Sequence, residues 1–377
     1  MSRGRSGFVA LSFCLLANAL VGEMALAADL FVDSGQRLGN EVTWSVALGD
    51  VDGDGDLDAV AANFDAGAIV WINDGDGRFT DSGQRLARGV YVALADFDGD
   101  GALDVLLGSW DVPASVWWND GRGTFTKGVF PSVTGCFAFG VGDLNGDARP
   151  DIYVGTVTAD RVILNAGDRK FTATRQFLGN GPTAGVALGD MNGDGDLDVV
   201  AAGWDEVGRV WANDGAGNFT QLCQIDAVTL HVHGAVLADI DGDGDLDCFF
   251  AIAGRISGRS VWLNDGTGRL TPAGYDLGTD LQQGIVVADL DLDGDLDIAL
   301  AIGAGGTPLP SRVWLRQEDG FVDSGLRLGE GFAGGVAAGD LDGDGDEDLF
   351  IAFLALPNEG WAYKPYPNEV WINTTRE

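Results

Sequence analysis

The nine residues DVDGDGDLD, Asp50–Asp58, decide the fold because this acidic phrase returns six more times along the chain. The later copies begin 46–51 residues apart, at Asp96, Asp143, Asp190, Asp239, Asp289 and Asp340. Self-similarity at a period of this size marks a repeat architecture, in which each copy is one supersecondary unit. The sequence therefore predicts seven tandem units.

Each unit contains short β-prone runs and no helical periodicity. Residues 46–48 precede the first acidic phrase, residues 59–61 follow it, and a V-W-x-N run at 70–73 leads through Asn73-Asp74-Gly75 into Phe79. Asn-Asp-Gly between two β-prone runs indicates a hairpin, because these residues tolerate positive φ. Four strands per unit of about 40–50 residues predict an all-β fold, a seven-bladed β-propeller with four-stranded blades.

A large apolar side chain recurs in the third strand of every unit. A tryptophan ring at the same place in six of the seven units, with Ile163 in the third, is expected to pack between neighbouring blades. These side chains are Trp71, Trp117, Ile163, Trp211, Trp262, Trp314 and Trp371.

The acidic phrase has the donor spacing of a calcium loop. The pattern D-x-[DN]-x-D-G-x-x-D places side-chain oxygens at positions one, three, five and nine, and a backbone carbonyl at seven. Without a cation, so many carboxylates within a few ångströms would repel each other. We therefore expect up to seven Ca²⁺ ions. The predicted metal residues, loop by loop, are Asp50, Asp52, Asp54, Asp56 and Asp58; Asp96, Asp98, Asp100 and Asp104; Asp143, Asn145, Asp147 and Asp151; Asp190, Asn192, Asp194, Asp196 and Asp198; Asp239, Asp241, Asp243, Asp245 and Asp247; Asp289, Asp291, Asp293, Asp295 and Asp297; and Asp340, Asp342, Asp344, Asp346 and Asp348.

The third loop departs from this pattern. Asn145 replaces an Asp, Ala148 replaces the Gly of the other loops, and Pro150 stiffens the exit. We expect a weak or empty site at 143–151.

The composition limits the classes of partner. The formal net charge is −36, and 31 of the 58 acidic residues stand at odd positions of the seven loops. Nucleic acid and anionic membranes are bound through basic patches, so neither is an expected partner. Because 46% of the residues are hydrophobic, the charge does not indicate disorder.

The N-terminus resembles a secretory signal. Arg3 and Arg5 precede an apolar run over 8–21, and Ala25-Leu26-Ala27 provides a cleavage site. We expect a signal peptide at 1–27, a single propeller domain at 28–377, and a secreted, periplasmic or cell-surface protein without membrane insertion. Of the four cysteines, Cys14 lies in the apolar run of the expected signal peptide. The remaining three, Cys136, Cys223 and Cys248, are odd in number and irregularly spaced, so they predict no disulfide framework.

The acidic loops, the run FAFGVGD at 137–143 and the V-W-x-N-D-G-x-G-x-F-T hairpins resemble the FG-GAP/VCBS family of β-propeller repeats. Its members include integrin α-subunit heads, many secreted bacterial proteins and a fungal lectin. The resemblance covers 31–373 and implies adhesion, glycan binding or an appendage of an enzyme. It also implies that ligands approach the face opposite the calcium loops.

An eight-residue phrase, FVDSGQRL at 31–38, matches the unit-ending phrases at 79–86 and 321–328. The seventh unit has only three strands after Asp340, because the chain ends four residues beyond 369–373. We expect the N-terminal phrase to supply the missing fourth strand and so close the ring, leaving no exposed edge there.

The loops on the face opposite the calcium loops differ between units, and three of them place an aromatic residue before a carboxylate. Aromatic rings stack on the apolar face of sugars, while acids accept hydroxyl hydrogen bonds; the same rings can instead cap the blade ends. The candidate ligand residues are Phe64, Asp65, Trp110, Asp111, Trp204 and Asp205, with Trp361 and Tyr363 in a long insertion of the seventh unit.

Both histidines, His231 and His233, fall in one strand-like run whose alternation would place them on the same face. Such a pair is a candidate transition-metal or acid–base site, although a pair without a third ligand is more often a polar lining.

Three functional hypotheses remain open at this stage. The sequence favours a binding or adhesion module for carbohydrate or a cell-surface protein, lectin-like in its glycan recognition. The alternatives are a polysaccharide lyase or dehydratase that uses the histidines or a calcium ion, and a purely structural protein-interaction module.

Overall fold

A computed structural model describes residues 30–204, 206–253, 259–303, 308–357, 363–364 and 366–376. Within these ranges the strands form seven antiparallel sheets. The innermost strands of consecutive sheets are neighbours, and that of the last sheet contacts that of the first. The seven-bladed β-propeller predicted from the repeat is confirmed.

Each of the first six blades consists of four strands that are consecutive in the chain. Blade 1 contains β2 (Thr43–Gly49), β3 (Asp58–Asn63), β4 (Ile69–Asn73) and β5 (Phe79–Arg85). Blade 2 contains β6 (Tyr91–Ala95), β7 (Asp104–Gly108), β8 (Ser115–Asn119) and β9 (Phe125–Lys127). Blade 3 contains β10 (Cys136–Gly142), β11 (Asp151–Thr156), β12 (Arg161–Asn165) and β13 (Phe171–Ala173).

The later blades follow the same order. Blade 4 contains β14 (Thr183–Gly189), β15 (Asp198–Gly203), β16 (Glu206–Asn213) and β17 (Phe219–Leu230). Blade 5 contains β18 (Val232–Ala238), β19 (Asp247–Ile252), β20 (Val261–Asn264) and β21 (Leu270–Pro272). Blade 6 contains β22 (Gln282–Ala288), β23 (Asp297–Ile302), β24 (Arg312–Gln317) and β25 (Gly320–Asp323). Blade 7 contains β26 (Phe332–Gly339), β27 (Asp348–Pro357), β29 (Glu369–Asn373) and β1 (Phe31–Asp33), with β28 (Tyr363–Lys364) beside β27.

The hydrophobic core lies in the seams between blades. The second strand of each of blades 1–6 is buried at every position, because both faces are covered by neighbouring blades. Each of the seven core clusters combines side chains of two consecutive blades. Trp262 of blade 5, for example, is 1% exposed and packs with Val200 of blade 4. The inter-blade packing predicted for the recurring tryptophans is confirmed.

A buried amide also ties neighbouring blades together. Asn73 Nδ2 in β4 donates to Leu341 O of blade 7 at 2.8 Å, and Asn119 Nδ2 in β8 donates to Val51 O of blade 1 at 2.7 Å. Asn165, Asn213, Asn264 and Asn373 make the equivalent bond to the preceding blade. The Asn that ends the third strand thus bonds six of the seven blades to the acidic loop of the blade before, whereas blade 6 has Arg316 at this position.

The N-terminal strand closes the ring as the repeat phrase predicts. β1 pairs with β29 in the register Phe31↔Asn373, Val32↔Ile372 and Asp33↔Trp371. Leu38 extends this contact through reciprocal backbone bonds with Asn368 at 2.9 and 3.0 Å.

The same segment reaches forward to blade 1. Gln36 Nε2 donates to Gly77 O at 2.6 Å, and Phe79 N donates to Gln36 Oε1 at 2.8 Å. Gln176 makes the corresponding pair of bonds from blade 3 to blade 4. The phrase DSGQRL therefore completes one blade and attaches it to the next.

Candidate functional site

The acidic loops connect the first and second strands of every blade, so all seven lie on one face of the propeller. Their backbone is organised by the first aspartate. In the first loop, Gly53 N donates to Asp50 Oδ1 at 2.7 Å and Gly55 N donates to Asp50 Oδ2 at 3.0 Å. The equivalent bonds recur at Asp96, Asp190 and Asp239. The local sequence thus folds each loop around a common centre.

The ninth residue of the loop is a buried structural acid as well as a candidate ligand. Asp58 is fully buried and accepts hydrogen bonds from Val51 N at 3.0 Å and Asn73 N at 2.8 Å. Burial raises the pKa of Asp58 to about 6 and that of Asp104 to about 7. These carboxylates hold the loop against the third strand of the same blade, and a nearby cation would favour their charged form.

The donor set of most loops fits Ca²⁺. Oxygens from positions one, three and nine lie within 4.8 Å of one another in loops 1, 2, 5 and 6, and oxygens from positions one, three and five do so in loop 7. Buried oxygens of Asp52, Asp289 and Asp346 have no hydrogen-bond partner among the described residues, and a bound cation would satisfy them. Loop 4 keeps the same backbone bonds, with Asn192 at position three.

The third loop does not fit an ion in the same way. Arg149 stands at position seven, where five other loops have Asp. Its guanidinium pairs with Asp147, and its Nε donates to Asn165 O at 3.0 Å. Ala148 has a φ of 65° where other loops have Gly. An arginine of the chain therefore supplies positive charge to this loop.

Aromatic side chains converge on the opposite face, at the ends where first strands begin and second strands end. Trp110 stacks on Phe64 at 5.1 Å and on Phe137 at 6.0 Å between ring centroids, and Trp44 meets it edge-on at 5.1 Å. Phe137 contacts Trp204 at 4.8 Å, and Trp204 contacts His233 at 5.4 Å. We call these six residues the aromatic face. They bring together blades 1 to 5.

β-Bulges place three members of the aromatic face. The pairing register shifts between Thr43 and Ser45 in blade 1, so Trp44 is the extra residue. The same shift makes Phe137 and His233 the extra residues of blades 3 and 5. A bulge redirects a side chain out of the regular alternation of a strand. The residues on this face can therefore vary without disturbing the ladder.

The carboxylates predicted beside the rings are arranged differently from one another. Asp65 is exposed. Asp111 accepts a hydrogen bond from Ser109 Oγ at 2.6 Å and pairs with Arg88 at 2.7 Å. Arg88 also lies over the Phe64 ring, 5.8 Å from its centroid. Polar groups thus border the Phe64–Trp110 stack.

Three of the predicted ligand residues have no described side chain. Asp205 and Trp361 lie outside the described residues, and only the backbone of Tyr363 is described, in β28.

The two histidines do not share one face of a regular strand. His231 precedes β18 and is exposed, whereas His233 lies at the bulge and is half-buried against Trp204. Burial, with the charge of His231, lowers the pKa of His233 to about 4, so its imidazole is neutral at neutral pH. The candidate metal groups in the described ranges consist of aspartates alone. The bulge at His233 interrupts the alternation from which a paired face was predicted, and the two histidines differ in burial.

Comparison with known proteins identifies the repeat. A family model described as an FG-GAP-like repeat matches residues 50–107, 96–154, 143–201, 190–250 and 239–300, which together exceed half of the chain. No curated protein sequence matches. In the described ranges, no helix is sufficiently long and apolar to cross a membrane.

Three solved structures are similar in fold. An Agrocybe aegerita lectin, whose structure concerns recognition of non-reducing terminal N-acetylglucosamine, is 20% identical with a TM-score of 0.51 over 88% of this chain and 85% of its own. BBS1N in complex with ARL6DN is 13% identical, with a TM-score of 0.59 over 92% and 97%. The extracellular domain of BT4673 from B. thetaiotaomicron is 12% identical, with a TM-score of 0.55 over 90% and 39%. At these identities the likeness shows the fold.

Proposed function

The chain belongs to the FG-GAP-like repeat family, and from this premise we propose that it is an exported, calcium-loaded propeller that binds glycans at the aromatic face. The observation that carries the proposal is the continuous contact of rings from Trp44 and Phe64 through Trp110 and Phe137 to Trp204. The opposite face carries the acidic loops and is the proposed metal face.

The chemistry of the aromatic face suits a neutral sugar. Trp44, Phe64, Trp110 and Trp204 are half-buried and offer flat apolar surfaces to the C–H groups of a pyranose, while Phe137 is buried and packs against Trp110 and Trp204. Placed polar groups would fix the orientation of the sugar. Asp111 and Arg88 border the stack, and His233 provides a neutral imidazole beside Trp204. One rim of the cluster can therefore accept and donate hydrogen bonds while its centre supplies stacking.

The comparisons support the same class of function. One fold neighbour is a lectin and another is an extracellular domain, while the BBS1N structure is a complex with a protein partner. A protein partner at the aromatic face is the principal competing outcome.

Calcium has a structural role in this proposal. Loops 1, 2, 4, 5, 6 and 7 would hold one ion each, through the acids at positions one, three, five and nine and Asn192 in loop 4. Each ion would neutralise carboxylates that otherwise repel, next to the strands that form the inter-blade seams. Loop 3, with Arg149, would remain without an ion.

A glycan array probed in calcium and in chelator tests the proposal. Trp110→Ala and Trp204→Ala should each lower the glycan-binding signal of the wild type at least about tenfold, because each removes stacking surface from the centre of the site. The matched control is Phe177→Ala, which removes an aromatic ring that is 65% exposed, is stacked with Arg161 and lies outside the aromatic face. No signal for the wild type, or equal losses in all three variants, would contradict glycan binding at this face.

A further inference from the structure

One hairpin position faces the acidic loop of the preceding blade. In four blades it is a glycine with φ between 69° and 77°: Gly77, Gly123, Gly217 and Gly268. A Cβ built at Gly123 would lie 3.3 Å from the Cβ of Asp52, and one built at Gly77 would lie 3.5 Å from the Cβ of Asp342. Both neighbours are third residues of a loop. Any side chain at this position is therefore directed towards a proposed calcium ligand.

Blade 3 has an arginine at this position. Arg169 adopts a φ of 59° in the left-handed region, which disfavours residues with a Cβ. The preceding Asp168, with a φ of 51°, is also left-handed. Arg169 therefore keeps the left-handed backbone conformation that glycine has at this position in four other blades, but it adds a long cationic side chain.

The guanidinium of Arg169 reaches the third residue of loop 2. Its Nε donates to Asp98 Oδ2 at 2.5 Å, and it lies 3.7 Å from Asp100. The Asp98 side chain is 6% exposed, and Arg169 is also held over the Trp118 ring at 5.2 Å. Asp98 belongs to the group, with Asp96 and Asp104, whose oxygens lie within 4.8 Å of one another. The arginine is therefore paired with a carboxylate that would also be a ligand of the ion.

We propose that Arg169 is a tethered competitor of calcium at loop 2, so that occupancy of this loop is coupled to the contact between blades 2 and 3. The inference rests on the proposed calcium loops. An entering ion shares or displaces the Asp98–Arg169 pair and loosens the link to the hairpin of blade 3. Loop 2 then binds calcium more weakly than its acids alone would allow.

The test counts bound ions by native mass spectrometry over a series of free calcium concentrations. Arg169→Gln should tighten binding of one ion by about fivefold, the equivalent of about 1 kcal/mol for a partly exposed ion pair. The charge-matched control is Arg122→Gln, which removes an exposed arginine from the hairpin of blade 2. This control should leave every ion within about twofold of the wild type.

A double-mutant cycle assigns the affected ion. Asp98→Asn should weaken or remove one ion, and adding Arg169→Gln to Asp98→Asn should then change nothing further. Equal effects of Arg169→Gln and Arg122→Gln, weaker binding in Arg169→Gln, or an effect that persists in the Asp98→Asn background would overturn the inference. If the wild type binds no calcium, the proposed calcium sites are refuted, and the inference about Arg169 is refuted with them.

Discussion

The closing strand allows a quantitative test of how the ring is held. Phe31 is 4% exposed and packs in the seam between blades 6 and 7, whereas its neighbour Val32 points outward and is 52% exposed. Both residues pair with β29 through their backbones. Phe31→Ala and Val32→Ala therefore remove side chains from the same strand with opposite burial.

The two variants are expected to lose very different amounts of unfolding free energy. Truncating a buried Phe to Ala costs about 3–5 kcal/mol of unfolding free energy, whereas an exposed substitution costs about 0.5 kcal/mol or less. Gln36→Ala removes two hydrogen bonds to blade 1 and should cost about 1–3 kcal/mol. Because Phe31 and Gln36 act in different seams, their double variant should lose about the sum of the two unfolding free energies, about 4–8 kcal/mol.

Urea unfolding in saturating calcium, followed by far-UV circular dichroism, measures these differences. The m-value should remain unchanged if the variants affect stability alone. An unfolding free energy for Phe31→Ala within about 0.5 kcal/mol of that for Val32→Ala would show that the strand does not close the ring.

Three further predictions concern the loops and seams. Chelation should lower the melting temperature, since calcium at tenfold its Kd contributes about 1.4 kcal/mol per loop; an unchanged melt would contradict this role. Asn119→Ala should cost about 1–3 kcal/mol in denaturant unfolding, because its buried amide bonds to Val51 O and Leu103 O are lost; a neutral effect would count against the inter-blade tie. Burial raises the pKa of Asp160 to about 7, above its value in the unfolded chain, so ionisation destabilises the fold and stability falls as pH rises from about 4 to 7. Asp160→Asn should therefore gain stability relative to the wild type as pH rises from about 4 to 7, and parallel pH profiles would refute this.

Local periodicity was sufficient to predict the fold. Blade number, strand order, the seam position of tryptophans such as Trp262 and the role of 31–38 all follow from spacing, because each depends on the repeat alone. The tie made by Asn73 was missed, although the V-W-x-N pattern displays it. Its partner, Leu341 O, belongs to another blade and adjoins it only once the ring closes.

The candidate site was less predictable. Phe64, Trp110 and Trp204 were singled out as separate loop residues, but the contacts of Trp110 and Trp204 with Phe137 depend on a bulge that alternation does not reveal. His233 is likewise the extra residue of a bulge, which alternation does not reveal. The departure of loop 3 from the calcium pattern was visible in Ala148 and Pro150, whereas the ion pair of Arg149 with Asp147 depends on the folded geometry.

A crystal structure of the calcium-loaded protein with the strongest glycan found on the array tests ligand binding at the aromatic face most directly. We expect a pyranose ring within about 4.5 Å of Phe64, Trp110 or Trp204, with hydroxyl groups towards Asp111, Arg88 or His233. A sugar bound elsewhere, at the outer rim or among the acidic loops, would contradict the assignment of the aromatic face as the ligand site.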